Sequence, residues 1–179
     1  MLIRKRIHRN ADTKRRFEES RARTASCIPA LESEFGGQFI HTEQFDSHAF
    51  CVTVDCDYGI DLLWVHNHRI DPIGVRTSEH DWPYFTVSCN NYSGEPAEYD
   101  ELKNSPISPA YSLKLIVVDG KPYKAYMVRI DYLLDYIDSN NLTPKPSPNG
   151  DPHDYYAIPI SGLPKNAVKD VRLDKEYNV

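Results

Sequence analysis

The stretch DYGIDLLWVHNHRIDPIGVRTS, residues 57–78, decides the fold of this chain. Leu62 to Val65 form a nearly continuous apolar run, which is typical of a strand buried on both faces. The polar residues HNHR that follow predict a turn, and Ile70 to Thr77 predict the returning strand. The stretch therefore predicts a β-hairpin with a carboxylate, Asp61, at its start and a cation, Arg76, near its end.

The elements around this hairpin are predicted from periodicity and from turn residues. A helix starts around Lys14, is kinked or interrupted at Pro29, and ends before the pair Gly36-Gly37. Asp119-Gly120 between two apolar runs predicts a second hairpin. Further strands are predicted at residues 38–41, 49–54, 84–88, 111–118, 121–130 and 155–160, and helical segments at residues 97–103 and 131–139.

This order of elements predicts an α/β fold, a single domain with a central mixed β-sheet flanked by helices. Three parts are expected along the chain. Residues 1–13 form a basic N-terminal arm, residues 14–163 form the domain, and residues 164–179 form a polar C-terminal tail.

Composition narrows the class of protein. Apolar residues make up 40% of the chain and charged residues 26%, which is ordinary for a globular protein. No apolar run approaches the roughly 18 residues of a membrane-spanning helix, and the N-terminus lacks the features of a secretory signal. We therefore expect an intracellular, cytoplasmic protein without a membrane partner.

The four cysteines follow no recognised pattern of ligands or disulfides. Reduced thiols are the simplest interpretation in a cytosolic chain. A zinc site is the alternative, although its spacing matches no standard motif. Its ligands would be His48, Cys51 and Cys56, with His66 or His68.

Charge is distributed unevenly along the chain. Residues 1–25 carry nine Lys or Arg against three acidic residues, whereas the whole chain has a net charge of −5. A basic arm on an acidic body can contact phosphate groups. The alternatives are a solvated helix face, or an arm that docks on the acidic body or on a protein partner.

Three features resemble the PD-(D/E)XK nuclease superfamily, whose fold is the restriction-endonuclease-like core. KRRFEES places Glu18 on a helix before the sheet, GIDLLWV places Asp61 at the head of a buried strand, and IGVRTS places Arg76 on the next strand. The resemblance implies Mg²⁺-dependent hydrolysis of DNA. The implied catalytic residues are Glu18, Asp61 and Arg76. The implied metal ligands are Glu18, Asp61 and Asp57, and the implied DNA contacts are Arg15, Arg16 and Arg76.

The sequence departs from that pattern on the second strand of the hairpin. Gly74 stands where the family has an acid, and Arg76 stands where it has lysine. Arginine is not equivalent to lysine, although it binds phosphate well. The acids that are candidates to replace the missing one are Glu43, Asp55, Asp57 and Glu79.

Two alternatives follow from this departure. Asp61 and Arg76 can form a buried structural ion pair. The chain can also be a catalytically inactive module that binds nucleic acid or a protein partner. Aromatic residues bear on the second alternative, because they either cover the sheet or offer a stacking surface to unpaired bases. They include Tyr84, Tyr92, Tyr99 and Tyr111.

Overall fold

The computed structural model describes residues 11–44, 59–92, 96–147 and 153–174. The predicted strand at residues 49–54 lies outside this part of the chain. Among the described residues there are three α-helices and nine strands. The helices are α1 (Ala11–Phe35), α2 (Glu98–Asn104) and α3 (Ile130–Asn140). The strands are β1 (Gln38–His41), β2 (Leu62–His66), β3 (Arg69–Ser78), β4 (Tyr84–Asn91), β5 (Tyr111–Val118), β6 (Lys121–Arg129), β7 (Lys145–Pro146), β8 (His153–Pro159) and β9 (Val168–Arg172).

The hairpin predicted from the opening stretch is confirmed. β2 and β3 pair antiparallel, with Leu62 opposite Ile73. Asn67 and His68, at the turn, have φ angles of 45° and 60°. Positive φ at both central residues is what a two-residue type I′ turn requires, and the twist of this turn matches that of the flanking strands.

The central sheet has six strands in the order β1-β2-β3-β5-β6-β9. β3 and β5 are parallel and the other neighbours are antiparallel, so the predicted mixed sheet is confirmed. β4 and α2 make the crossover from β3 to β5, because a parallel pair cannot be joined by a tight turn. β4 belongs to a second, three-stranded sheet with the order β4-β8-β7, which the sequence did not predict.

Apolar side chains cover both faces of the six-stranded sheet. On one face α1 packs against β-strand residues, and the main members of this core are Cys27, Leu31, Phe39, Leu62, Ile73, Leu113, Leu115 and Met127. On the other face α3 and the small sheet pack, and the main members are Phe85, Val87, Ile116, Val128, Leu133, Ile137 and Ile158. The described residues therefore form one α/β domain.

Pro29 does not interrupt α1, which runs from Ala11 to Phe35 as one helix. The predicted interruption is therefore wrong. Pro29 lies on the exposed side of the helix. The carbonyl group that loses its hydrogen bond there can be solvated by water. Neighbouring Cys27, Ala30 and Leu31 are buried against the sheet, and this packing outweighs the local cost of proline.

The segment predicted as a polar tail contains a strand. β9 pairs antiparallel with β6, with Val171 opposite Ala125, and Leu173 is buried in the core beneath α1. β9 alternates exposed charged residues with two valines, so its apolar content is too low to stand out from a tail. No helix in the described part of the chain is both long and apolar enough to span a membrane.

Candidate nucleic-acid interface

Two cations lie side by side on one face of the central sheet. Arg76 in β3 is the register partner of Lys114 in β5. The next residue, Thr77, lies on the α1 side, because its hydroxyl is 3.1 Å from that of Ser20 in α1. Successive side chains of a strand point to opposite faces. Arg76 and Lys114 therefore face away from α1.

Arg76 forms an ion pair with Glu98 at the start of α2. The Nη2 group of Arg76 donates to Oε1 of Glu98 at 2.6 Å, and 52% of the Arg76 side chain is exposed. The Glu98 carboxylate raises the pKa of Arg76, and Asp61 adds to this effect. Arginine has five N–H donors, so the contact with Glu98 leaves donors for a further acceptor.

Lys114 is buried, with 6% of the residue exposed. Its ammonium donates to the carbonyl oxygens of Trp82 and Tyr84, which are neutral acceptors. Among the described residues no carboxylate forms a salt bridge with it. Burial lowers the pKa of Lys114, the Lys124 ammonium lowers it further, and Asp81 opposes both effects. A buried lysine with a lowered pKa that lines a groove is typical of a functional site.

The two cations line a groove of about 580 Å³ between the two sheets. This volume is in the range of small-ligand sites. Hydroxyl and aromatic groups from both sheets complete its wall. The groove is lined by Arg76, Thr77, Ser78, Trp82, Tyr84, Phe85, Thr86, Ser88, Glu98, Ser112, Lys114, Ser147, His153 and Tyr155.

A second pocket of about 470 Å³ adjoins this groove. Arg76, Glu98 and Ser112 line both cavities, so the ion pair of Arg76 and Glu98 stands between them. Glu98 is itself fixed, because its Oε2 atom accepts from the backbone N–H of Ser88 at 2.9 Å. The position of Arg76 is thus set by the junction of β3, β4 and α2.

Asp61 supports the end of the hairpin. Its Oδ2 atom accepts from the backbone N–H of Val75 at 2.6 Å, and its backbone N–H donates to the carbonyl of Ile73. The carboxylate therefore continues the β2–β3 hydrogen-bond ladder beyond the first residue of β2. The Asp61 carboxylate also raises the pKa of Arg76, but the direct ion pair of Arg76 is with Glu98.

Glu18 and Arg15 lie on α1, whereas Arg76 faces away from that helix. Both side chains are exposed, and Arg15 contacts Glu19 one turn along the helix at 3.8 Å. The structure therefore brings Asp61 close to Arg76 and separates Glu18 from Arg76 by the sheet. The side chain of Arg16 lies outside the described part of the structure, as does Asp57.

Gly74 is closely packed at the position where the resemblance would place an acid. A Cβ atom at this position would lie 3.1 Å from the carbonyl oxygen of Gly59 and 3.3 Å from Cγ of Pro109. Both distances are shorter than ordinary van der Waals contact. Glycine at position 74 therefore allows the chain at Gly59 and Pro109 to approach β3 closely.

The Mg²⁺ ligands that the resemblance implies lie only partly within the described residues, which include Glu18 and Asp61 but not Asp57. In the described ranges no group of three His, Cys, Asp or Glu side chains converges. Both carboxylate oxygens of Glu98 bond protein donors, and Glu79, a candidate for the missing acid, pairs with Arg23 at 2.6 Å. Asp55, Asp57 and the side chain of Glu43, the other candidates, lie outside the described residues.

Of the residues named for the zinc alternative, His66 and His68 lie in the described part of the chain. His66 bonds Asp71 at 2.7 Å and stacks on Trp64, while His68 is at the hairpin turn. His48, Cys51 and Cys56 lie outside it.

Two residues of the site were missed from the sequence. Lys114 was visible as the lone charge in the apolar strand YSLKLIVV, and a charge in such a strand predicts a polar function for that face. Glu98 gave no such indication, because it lies in a polar segment of the chain. Glu98 reaches Arg76 because the crossover between β3 and β5 places the start of α2 beside β3.

No known protein-family model matches the sequence, and no curated protein matches it. The fold and the site therefore define a class only, an α/β domain with a cationic groove at the junction of two sheets.

Proposed function

We propose that this chain is a nucleic-acid-binding module, and that the groove containing Arg76 and Lys114 contacts the phosphate backbone of DNA. The observation that carries the proposal is the pairing of two cations at register positions of parallel strands. Both residues line the same groove, so a phosphate bound there can contact both cations. The proposed setting is the cytoplasm.

The proposed fold family is the restriction-endonuclease-like one, in a form that binds without cleaving. Supporting this are the hairpin that begins at Asp61 and the place of Arg76 on its second strand. Two observations favour binding over catalysis. The Asp61 carboxylate accepts from the backbone N–H of Val75, and position 74 is a closely packed glycine instead of an acid.

The test is fluorescence anisotropy with labelled DNA, comparing Arg76→Gln and Arg76→Lys with the natural chain. We expect Arg76→Gln to weaken binding about tenfold, since a charged phosphate contact contributes roughly 1–2 kcal/mol. Arg76→Lys should keep part of the affinity. The matched control is Arg129→Gln, which removes an arginine that also pairs with a nearby acid, Asp131, and should leave binding unchanged.

Two results would overturn the proposal. One is that the natural chain binds no DNA even at low salt, where phosphate contacts are strongest. The other is that Arg76→Gln binds as tightly as the natural chain while thermal melting shows the same fold. If labelled cell proteins bind in place of DNA, the protein partner predicted for the acidic body becomes the better interpretation.

Metal-dependent hydrolysis of DNA is the second candidate, favoured by the closeness of Asp61 to Arg76. Its test is nicking of plasmid DNA with Mg²⁺ or Mn²⁺, using Asp61→Asn as the control. Asparagine keeps a side-chain oxygen for the Val75 N–H and removes the negative charge. Under the binding proposal neither protein cleaves; cleavage that Asp61→Asn abolishes would establish an enzyme.

A further inference from the structure

A tryptophan at the rim of the groove is half exposed. Trp82 lies in the connection between β3 and β4, and 49% of the residue is accessible. Its ring stacks on Tyr84 with centroids 6.2 Å apart and an interplanar angle of 22°. Both residues line the groove that contains Arg76 and Lys114. A half-exposed indole ring at the rim of a groove can offer its face to a ligand.

The backbone beneath this aromatic pair is fixed at three consecutive residues. Lys114 donates to the carbonyls of Trp82 and Tyr84, and the carbonyl of Pro83 accepts from the N–H of Ile160 at 3.0 Å. A platform that is already ordered loses little entropy when it binds. Lys114 therefore both holds the platform and brings a positive charge next to it.

The combination of a cation and an aromatic face selects one class of nucleic acid. In a duplex the faces of the bases are stacked on one another, so a protein ring contacts them only at an unpaired base. Single-strand binding sites combine a cationic groove with aromatic rings on which bases stack. The groove contains both parts, and it adds hydroxyl donors at Thr86 and Ser88.

We infer that the groove binds single-stranded nucleic acid, with a phosphate at Arg76 and Lys114 and an unpaired base stacked on Trp82. This inference rests on the proposed function and names its substrate class. Two of the three donors of the Lys114 ammonium bond carbonyls, which leaves one for a phosphate oxygen.

The experiment measures the affinity of the natural chain for one labelled DNA strand of about 12 nucleotides, alone and annealed to its complement. We expect the single strand to bind about tenfold more tightly than the duplex. Trp82→Ala should weaken binding of the single strand about tenfold and leave binding of the duplex unchanged. Trp82→Phe keeps an aromatic face and should keep most of the affinity.

The control is the other tryptophan of the chain. Trp64 packs near Phe35 and Phe39 beneath α1, away from the groove, so Trp64→Phe should bind the single strand like the natural chain. The same variant leaves Trp82 as the sole indole fluorophore. Its emission should be quenched when the single strand binds, because a stacked base contacts the ring.

The outcomes separate this inference from the proposed function. Equal affinity for single strand and duplex, or unchanged binding by a folded Trp82→Ala variant, overturns the inference and leaves the function standing. Unchanged Trp82 emission on saturation with the single strand overturns it as well. Absence of binding to either form of DNA overturns both.

Discussion

Asp61 shows how one carboxylate can stabilise a fold by accepting a hydrogen bond from a buried backbone group. Its Oδ2 atom accepts from the N–H of Val75, a residue that is almost fully buried. A buried backbone donor without an acceptor costs free energy. The position of Asp61 at the head of β2 is therefore explained without any catalytic role.

We expect Asp61→Ala to lower the free energy of unfolding by about 1–3 kcal/mol, the cost of leaving the Val75 N–H without its acceptor. Asp61→Asn should cost less, since its amide oxygen still accepts. Urea unfolding monitored by circular dichroism measures both values. Equal stability of the alanine variant and the natural chain would show that the hydrogen bond contributes nothing.

The proposed DNA binding should weaken at alkaline pH because of Lys114. Burial lowers the pKa of Lys114, the Lys124 ammonium lowers it further, and Asp81 opposes this. The ammonium binds phosphate and the neutral amine does not. The affinity is therefore full below the lowered pKa and falls as the pH rises through it, which begins below the ordinary value of 10.5. Burial raises the pKa of Tyr84 and Tyr126, so ionisation of these rings comes later.

The measurement is anisotropy titration of single-stranded DNA over the alkaline range below the ordinary lysine pKa of 10.5. The natural chain should lose affinity across this range. Lys114→Met, which keeps the length of the side chain and removes the charge, should bind more weakly and show a flat profile. A parallel decline in both proteins would assign the titration to another group.

At the scale of elements, the strand β3 is shaped to approach its neighbours closely at Gly74. A Cβ atom at position 74 would lie 3.1 Å from the carbonyl oxygen of Gly59 and 3.3 Å from Cγ of Pro109. A larger residue there would have to push this chain away from β3. The close packing therefore explains why glycine stands at this position.

We expect Gly74→Glu to lower the free energy of unfolding by roughly 1–3 kcal/mol through overpacking and to confer no metal-dependent cleavage. Ser112→Ala is the matched control, because Ser112 is the register partner of Gly74 on β5 and already carries a Cβ atom. It should be nearly neutral. Thermal melting and the plasmid assay give the two readouts. Stable folding together with Mg²⁺-dependent nicking by Gly74→Glu would contradict this account of the site.

Hairpins were the most predictable elements of this fold. Asp119-Gly120 and the apolar runs on either side specify β5 and β6 by local chemistry alone, and both residues have positive φ. β9 was missed because its stability comes from pairing with β6, which lies about 45 residues earlier in the chain. The cationic pair of Arg76 and Lys114 was missed for the same reason, since it exists only through the parallel register of β3 and β5.

At the scale of the whole molecule, the groove contains two cations although most of the chain is acidic. Residues 26–179 carry a net charge of −11, which follows from the nine basic and three acidic residues before them. A polyanion is repelled by such a body at long range. The contacts of Arg76 and Lys114, together with the basic residues of α1 on the other side of the sheet, must therefore supply the attraction at short range.

This division of charge predicts how salt acts on binding. For single-stranded DNA the logarithm of the affinity falls with the logarithm of the salt concentration, with a slope of about −0.7 for each neutralised phosphate. Arg76 and Lys114 contact one phosphate in the proposed complex. Removing both cations, in the double variant Arg76→Gln/Lys114→Met, should therefore make the slope shallower by about 0.7. Arg15→Gln lies on α1, away from the groove, so its effect on the affinity should add to that of the double variant. Titrations at four salt concentrations measure these slopes. An unchanged slope in the double variant would show that phosphates bind elsewhere, and the basic residues of α1 would then be the site.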